Sequence, residues 1–139
     1  MTAARTISFV IPVYRNARAI TMTYEKIRLA LASDLSAYDY EFVFVDDGSD
    51  DGSLEEILQL RSRDPLVRLI SFTRNFGQMA AILAGLKAAS GDIVLHLSAD
   101  LQDPVELIPR MVRDYEAGSE LVIGHRADRE DAWTSRVTS

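Results

Sequence analysis

The residues with the clearest potential for chemistry lie in segment 95–104, where an apolar run stops at short polar side chains. Residues 93–97 are rich in β-branched and leucine side chains, which is typical of a buried strand. Three oxygen-bearing residues of the same parity follow: Ser98, Asp100 and Gln102. In an extended backbone they would point to one side, and such oxygens suit Mg²⁺ or Mn²⁺. The alternative is a polar turn in which Asp103 caps the next helix.

Two more polar clusters follow predicted strands. Residues 7–14 form the first predicted strand and residues 41–45 the second. The polar residues at their carboxyl ends are Tyr14, Arg15, Asn16, Asp46 and Asp47. In a doubly wound parallel sheet, ligands bind at the carboxyl ends of the strands, where the strand order reverses. With the strand order 3-2-1-4, the three clusters would share one rim.

Four carboxylates would meet at this rim: Asp46, Asp47, Asp100 and Asp103. Such like charges repel one another unless a cation, or hydrogen-bond donors such as those of a nucleobase, lie between them. For Asp46 and Asp47 alone, a plain acidic turn is the alternative interpretation. Three polar clusters on one rim favour a ligand site over that alternative.

The whole sequence alternates strands with helices. Further strands are predicted over 67–72, 93–97 and 120–124, and helices over 17–33, 53–63, 78–90 and 108–117, the last after one turn at 104–107. This pattern predicts an α/β domain with a mostly parallel sheet covered on both faces. Ser53 and Glu56 match a capping box at the start of the second helix. The third helix has a predicted inner stripe of Met79, Ile82, Leu83 and Leu86.

Composition narrows the possible classes of protein. The 139 residues predict a single domain, 1–139, and the polar stretch after His125 predicts a chain truncated at its C-terminus. The net charge of −6 argues against a nucleic-acid partner, which would require a basic face. The absence of Cys excludes disulfides and thiolate metal sites. No apolar stretch of about 18 residues is present to span a bilayer.

Several ligand-binding motifs are missing from the sequence. Gly-x-Gly-x-x-Gly does not follow the first strand, and a P-loop is absent. With no Cys and only two His, a zinc site is disfavoured, and His96 is expected to pack within its strand. A receiver domain would place paired carboxylates after the first strand, whereas here they follow the second.

Four ordered motifs resemble those of family 2 glycosyltransferases, in the dolichol-phosphate mannose synthase-like or polyprenyl-phosphate glycosyltransferase branch. They are Phe9-Val10-Ile11-Pro12-Val13-Tyr14, Phe44-Val45-Asp46-Asp47-Gly48-Ser49-Asp50-Asp51, Arg74-Asn75-Phe76-Gly77-Gln78 and Ala99-Asp100-Leu101-Gln102-Asp103-Pro104. The similarity extends over residues 6–129. It implies a GT-A nucleotide-diphospho-sugar transferase fold, which is Rossmann-like.

The resemblance also implies residue roles. The residues implied to bind the nucleotide sugar are Pro12, Tyr14, Asn16, Asp46, Asp47, Ser98 and Ala99. Asp100 and Gln102 would ligate the Mg²⁺ or Mn²⁺ ion that clamps the donor diphosphate, which makes Asp100 the implied catalytic residue. Arg126 would hold the acceptor phosphate, with a solvated surface arginine as the alternative. Arg74 and Gln78 would border the donor, or serve packing and capping.

One position departs from the family pattern. Relatives usually read Asp-x-Asp, whereas Ser98 replaces the first Asp here. Cation affinity follows the charge of the ligands, so this change predicts weaker metal binding. Ser98 could instead hydrogen-bond the donor sugar, mark a subfamily with another donor, or mark a site that has lost its function.

The implied reaction transfers a sugar from a nucleoside diphosphate-sugar to a polyprenyl phosphate or a cell-envelope glycan, with inversion and metal assistance. The expected location is cytoplasmic, at the inner face of the membrane, with membrane contact only through segments outside this chain. The chain alone could be inactive. The alternatives are a nucleotidyltransferase, which would normally carry a Gly- and Arg/Lys-rich loop after the first strand, and a non-catalytic nucleotide-sugar-binding domain.

Overall fold

The computed structural model describes residues 5–126 and 133–138. Its strands are β1 Thr6–Val13, β2 Asp39–Asp46, β3 Val67–Ser71, β4 Ile93–His96, β5 Leu121–Arg126 and β6 Trp133–Thr138. Its helices are α1 Ile20–Asp34, α2 Ser53–Arg63, α3 Gln78–Ala88 and α4 Ile108–Glu116, the last preceded by a 3₁₀ turn at Val105–Leu107. None of the helices in the described ranges is long and apolar enough to cross a bilayer.

The main sheet has four parallel strands in the order β3-β2-β1-β4, as predicted. The central strand β1 pairs with β2 over its whole length, from Thr6 opposite Asp39 to Val13 opposite Asp46. It also pairs with β4, from Ile7 opposite Ile93 to Val10 opposite His96. Because all four strands run in the same direction, their carboxyl ends lie along one edge of the sheet.

Helices cover the sheet unequally. On one face, α1, α2 and α4 pack on the strands over a large core, to which Phe9, Phe42 and Ile57 belong. Phe42 lies at its centre, with ring centroids 5.2 Å from Phe9 and 6.0 Å from Phe44. On the other face, α3 packs over a small core of Val10, Val43, Val45 and Ala81. The expected helices on both faces are confirmed.

The fifth predicted strand does not join the parallel sheet. In the described residues, β5 pairs antiparallel with β6 in a two-stranded sheet of its own and does not extend the parallel sheet. β6 lies in a stretch for which no strand was predicted. Its sequence, Trp-Thr-Ser-Arg-Val-Thr, mixes apolar and polar residues without a regular alternation, so the strand signal is weak.

Two predictions of burial were wrong. In α3 the predicted inner stripe is largely the outer one, because Met79, Leu83 and Leu86 are exposed while Ala81 and Gly85 face the sheet. In β4, Leu95 is buried but His96 is exposed, so His96 does not pack in the core. β4 is an edge strand among the described residues, and one of its faces is left largely uncovered.

Small residues on α3 allow the helix to approach the sheet closely. A Cβ atom added to Gly85 would lie 2.3 Å from Val10 Cγ1 and 3.3 Å from Val45 Cγ2. Both valines are β-branched and stiff, so the clash cannot be relieved by rotating a flexible side chain. The close approach, and not a large apolar stripe, therefore determines which face of α3 is inward.

A buried polar network holds the end of the sheet opposite the carboxyl edge. The Glu41 carboxylate accepts hydrogen bonds from Ser8 Oγ (2.6 Å), Ser90 N (2.6 Å) and Arg68 Nη1 (3.0 Å). Burial opposes ionisation of Glu41, but these hydrogen bonds outweigh it and lower the pKa to about 2. Glu41 therefore ties β1, β2, β3 and the turn before β4 together as a carboxylate.

The Glu41→Gln variant tests this network. A folded-state pKa of about 2 against a reference of 4.5 corresponds to about 3 kcal/mol. That stability is present above pH 4.5 and is lost as the pH falls towards 2, since the folded-state pKa is the lower one. In urea unfolding at pH 7, the free energy of unfolding of Glu41→Gln should be about 2–3 kcal/mol lower than that of the parent chain. It should also fall less steeply than the parent's as the pH is lowered from 4.5 towards 2. The exposed Glu25→Gln is the control. If the free energy of unfolding depends on acid pH equally in the two variants, the role given to Glu41 is contradicted.

The Gly85→Ala variant tests the close packing of α3. Although alanine favours a helix, the clash with Val10 should lower the free energy of unfolding by about 1–3 kcal/mol. Val10→Ala removes the methyl groups that clash. The double variant should therefore lose less free energy of unfolding than the two single variants lose together. Strict additivity in urea unfolding would show that the contact is not the cause.

Candidate functional site

A cleft of about 440 Å³ opens at the carboxyl edge of the main sheet. The predicted residues that line it are Pro12, Tyr14, Asn16, Asp47, Ser98, Ala99, Asp100 and Gln102. They come from the loops after β1, β2 and β4, which the strand order places side by side. Its volume lies within the range of about 300–1,000 Å³ that is common for small-molecule sites. The structure therefore brings the three predicted loops together at one cleft.

The paired carboxylates Asp46 and Asp47 point to opposite faces of the sheet. Side chains alternate along a strand, so Asp46 follows Phe44 onto the face of the large core and Asp47 follows Val45 onto the face of α3. Asp47 lines the cleft, whereas Asp46 does not. Asp46 is 1% exposed, and its Oδ1 has no hydrogen-bond partner in the described part of the chain. The structure thus places Asp46 differently from the prediction.

Asp47 holds the loop between β3 and α3. Its carboxylate accepts hydrogen bonds from Phe76 N (2.7 Å), Gly77 N (3.1 Å) and Asn75 Nδ2 (3.2 Å). Two of these donors lie directly before α3, so the negative charge also lies at the positive end of that helix. The three bonds account for the burial of a charged group that is 2% exposed.

Gly48 makes this arrangement possible. Its φ is +73°, and an added Cβ would lie 2.4 Å from the Arg74 carbonyl carbon and 2.6 Å from Asn75 N. No other residue fits a left-handed position so close to another backbone. The loop before α3 therefore lies over the turn after β2, which brings Asn75, Gly77 and Gln78 to the cleft.

The loop after β4 is a turn and not the extended segment that the parity argument assumed. Leu101 has a φ of +63°, Asp103 Oδ2 accepts a hydrogen bond from Ser98 N (2.6 Å), and Asp100 Oδ1 accepts one from Gln102 N (3.2 Å). Asp103 therefore closes the loop on itself and does not cap the next helix. Ser98, Asp100 and Gln102 still line one cleft because the turn folds them together.

Buried contacts below the cleft hold this turn in position. Ala99 is 3% exposed, and its carbonyl oxygen accepts a hydrogen bond from Thr23 Oγ1 (2.8 Å) in α1. Asp100, the next residue, is exposed to solvent. The anchored Ala99 therefore holds Asp100 at the surface of the cleft, where a ligand can reach its carboxylate.

The loop after β1 supplies an aromatic ring and an amide to the cleft. Tyr14 is 41% exposed, and the Arg15 guanidinium carbon lies 5.1 Å from its ring centroid. Asn16 Oδ1 accepts a hydrogen bond from Tyr14 N (2.9 Å). Arg15 also pairs with Asp50 at 2.9 Å, and this hydrogen-bonded pair raises the pKa of Arg15.

The cleft contains little concentrated negative charge. Within residues 5–126, no group of three or more acidic or histidine side chains is arranged to hold a metal ion. Asp100 is the exposed carboxylate beside Ser98 and Gln102, and within the described part of the chain only its Oδ1 accepts a hydrogen bond, from Gln102 N. Asp47 accepts backbone N–H groups on both of its oxygens, and Asp103 accepts Ser98 N. The site thus offers one accessible carboxylate and neutral oxygens.

Sequence reasoning left several cleft residues without a role. Val13, Asn75, Gly77 and Ala81 also line it, and so does Gln78, which was predicted either to border the donor or to serve packing. Arg74 instead stacks on Phe76, at 4.3 Å from the ring centroid. Asn75 and Gly77 lie in one of the four motifs, but β3 is not adjacent to β1, so strand order alone does not bring them to the cleft. The side chain of Arg126 lies outside the described residues, and its role stays a prediction.

The fold is that of the GT-A nucleotide-diphospho-sugar transferases. It resembles the mannosyltransferase PcManGT from Pyrobaculum calidifontis, solved in complex with GDP-Man and Mn²⁺, with a TM-score of 0.66 at 23% identity over 81% of this chain and 32% of that one. It also resembles S. aureus TarS 1–349 in complex with UDP, with a TM-score of 0.57 at 21% identity over 80% of this chain and 33% of that one. The predicted fold is confirmed.

The model of the family "Glycosyl transferase family 2" matches residues 8–139, and the chain belongs to this family. It is 44% identical over 123 residues to the bactoprenol glucosyl transferase of Shigella phage SfV, covering 88% of this chain and 39% of that protein. It is 39% identical over 140 residues to the undecaprenyl-phosphate 4-deoxy-4-formamido-L-arabinose transferase of Aeromonas hydrophila, covering 99% of this chain and 42% of that protein. The predicted family is confirmed, and these relatives support its polyprenyl-phosphate branch.

The chain spans only about 40% of the length of these curated relatives, with 39% of one and 42% of the other covered. The match to the family model, over residues 8–139, includes the four motifs and the whole cleft described above.

The Asp47→Asn variant tests the clamp on the loop before α3. An amide would present a donor to groups that are themselves donors, so the free energy of unfolding should fall by about 1–3 kcal/mol. Amide hydrogen exchange at Phe76 and Gly77 should accelerate together. Asp39→Asn, at the exposed start of the same strand, is the matched control. Unchanged exchange at Phe76 in Asp47→Asn would contradict the clamp.

Proposed function

We propose that this chain is the donor-binding part of a glycosyltransferase that transfers a sugar from a nucleoside diphosphate-sugar to a polyprenyl phosphate, with inversion. The observation that carries the proposal is the single cleft in which Tyr14, Asn16 and Asp100 converge in a family 2 chain. The relatives' names, bactoprenol glucosyl transferase and undecaprenyl-phosphate transferase, support the lipid acceptor. A cell-envelope glycan is the other acceptor class that the family allows.

The nucleoside occupies the part of the cleft between the loops after β1 and β2. The exposed ring of Tyr14 offers a face for the base, and the Asn16 amide offers hydrogen-bonding groups for the base or ribose. Asp47 contributes mainly by holding Asn75 and Gly77 at the cleft wall. Pro12 and Ala99 form the apolar floor beneath the nucleotide.

A divalent cation, Mg²⁺ or Mn²⁺, is the proposed cofactor, and Asp100 and Gln102 would hold it with help from Ser98. One carboxylate with neutral oxygens fits an ion that takes its other ligands from substrate phosphates and water, as Mg²⁺ commonly does in proteins. The bound cation would stabilise charge on the departing diphosphate. Asp100 is held for this role by its turn and by the anchored Ala99.

The acceptor chemistry accounts for the absence of a general base in the proposal. A lipid phosphate is already an anionic nucleophile, so its oxygen attacks the anomeric carbon without losing a proton. The attack displaces the nucleoside diphosphate from the opposite side, and the cleft contributes by aligning the two reactants. Arg126 is proposed to pair with the acceptor phosphate. We place the reaction at the cytoplasmic face of the membrane, and we propose that membrane contact is made through segments outside this chain.

A non-catalytic nucleotide-sugar-binding domain is the second candidate. The specific observation that favours it is Ser98, which leaves Asp100 as the single accessible carboxylate at the predicted metal position. Both candidates bind a nucleotide, and they differ in whether sugar transfer follows.

Calorimetry with UDP, GDP and their glucose and mannose conjugates, with and without Mn²⁺, tests donor binding. Asp100→Asn should weaken Mn²⁺-dependent nucleotide binding by about tenfold or more, because it removes the one accessible charged ligand. Ser98→Asp should tighten the binding of Mn²⁺ by adding a second carboxylate. The exposed Glu106→Gln is the matched control and should change neither quantity.

The outcomes separate the two candidates. Absence of binding to every nucleotide tested would overturn the proposal. Binding by this chain, with sugar transfer to undecaprenyl phosphate by this chain or by any longer protein that contains it, would support the glycosyltransferase. Binding without transfer to any lipid or glycan acceptor would favour the binding domain.

A further inference from the structure

The loop between β1 and α1, residues 14–19, has an unfavourable backbone for its sequence. Arg15 has a φ of +53° and Arg18 a φ of +74°, although neither is glycine. Left-handed conformations are unfavourable at such residues and persist when the surroundings impose them. The helix that follows begins after Ala19, which has no side chain able to cap it. Something outside the loop must therefore hold it.

Glu56, on the neighbouring helix α2, caps α1. Its Oε2 accepts a hydrogen bond from Arg18 N (2.7 Å), and its Oε1 accepts from Thr21 N (2.8 Å) and from Thr21 Oγ1 (2.7 Å). The capping box that the sequence predicted for α2 is not formed, since Gly52 precedes that helix with no side-chain cap. The carboxylate lies instead at the positive end of α1, where a negative charge is favourable.

The segment before Glu56 holds the rest of the loop in the same way. The remaining contacts are Arg15 N to Ser49 Oγ (3.0 Å), Asn16 N to Ser53 Oγ (2.9 Å) and Ala17 N to Asp51 Oδ2 (3.2 Å). Four consecutive backbone N–H groups, those of residues 15–18, thus donate to side chains of residues 49–56. Burial opposes the ionisation of Asp51, but its hydrogen bonds from Ser53 and Ala17 lower the pKa.

The held loop is the one that lines the cleft. Tyr14 and Asn16 face the cavity, whereas Glu56 does not line it. Glu56 does not contact the cavity, and its hydrogen bonds connect it to the loop that does. We propose that Glu56 is a positioning residue, which sets the β1–α1 loop for nucleotide binding by capping α1 from α2. This inference rests on the proposed function of the cleft.

The Glu56→Gln variant of this chain is the first test. Glutamine keeps the length of the side chain but replaces one acceptor by a donor that faces backbone N–H groups. Amide hydrogen exchange at residues 15–21 should accelerate, and the Kd for UDP or GDP with Mn²⁺ should rise by about tenfold. Glu55→Gln, the same change at the adjacent exposed position, is the matched control and should alter neither readout.

A second-site change separates positioning from general stability. Glycine adopts a positive φ without strain. Arg18→Gly in the Glu56→Gln background should therefore restore most of the nucleotide affinity, because the loop regains its conformation without the cap. A role in stability alone predicts no such rescue. If Glu56→Gln does not fold, Thr21→Val removes only the hydroxyl contact and should give a smaller loss of affinity, about threefold.

The two readouts have separate meanings. Normal exchange at residues 15–21 in Glu56→Gln would overturn the capping assignment, and faster exchange with unchanged affinity would overturn the positioning role. If the parent chain binds neither UDP nor GDP, the proposed function fails, and the positioning role for the nucleotide fails with it. The exchange measurement would then still decide whether Glu56 caps α1.

Discussion

The parallel pairing of β1 with both β2 and β4 is the constraint on which the rest of the structure depends. It places the carboxyl ends of three strands next to one another, so the polar residues that follow each strand share one cleft. The strand itself is fully apolar at its centre, where Phe9, Val10 and Ile11 are all 0% exposed. Burial of β1 from both faces thus supplies the stability that irregular loops at its end require.

The loops at this edge are stabilised by side chains that accept hydrogen bonds from backbone N–H groups of other loops. Asp47 holds the segment before α3, Asp103 closes the turn after β4, and Glu56 caps α1. Each of these contacts satisfies a backbone donor that neither helix nor sheet supplies with a partner. Many of the acidic and hydroxyl residues near the cleft therefore serve the scaffold, and fewer are left for the ligand.

This arrangement also separates the four carboxylates that the sequence places at one edge. Asp46 turns to the opposite face, while Asp47 and Asp103 are bonded to N–H groups. Asp100 is exposed to solvent, Asp103 is half-buried, and Asp46 and Asp47 are buried. Hydrogen bonds within the protein thus stabilise the carboxylates of Asp47 and Asp103.

The sequence by itself determined the order of the main elements, the parallel sheet and the family. These follow from local periodicity and from motifs such as residues 44–51 and 99–104, which do not depend on distant contacts. It also identified most of the residues that line the cleft, since carboxyl ends of neighbouring parallel strands must meet. In α1 the buried residues Ile20, Tyr24 and Ile27 recur at helical spacing, so this inner face follows from a local pattern.

Only the tertiary structure decided what each polar side chain does. Asp46 and Asp47 are chemically identical neighbours, and the alternation of β2 separates them between two faces. Glu56 matches a capping box for its own helix, yet it caps α1 because α1 and α2 pack side by side. The inner face of α3 is the small-residue face because Val10 and Val45 leave no room for more. Hydrogen bonds and close packing join residues that are far apart in the chain. Local sequence patterns do not show which of these residues become neighbours in the folded protein.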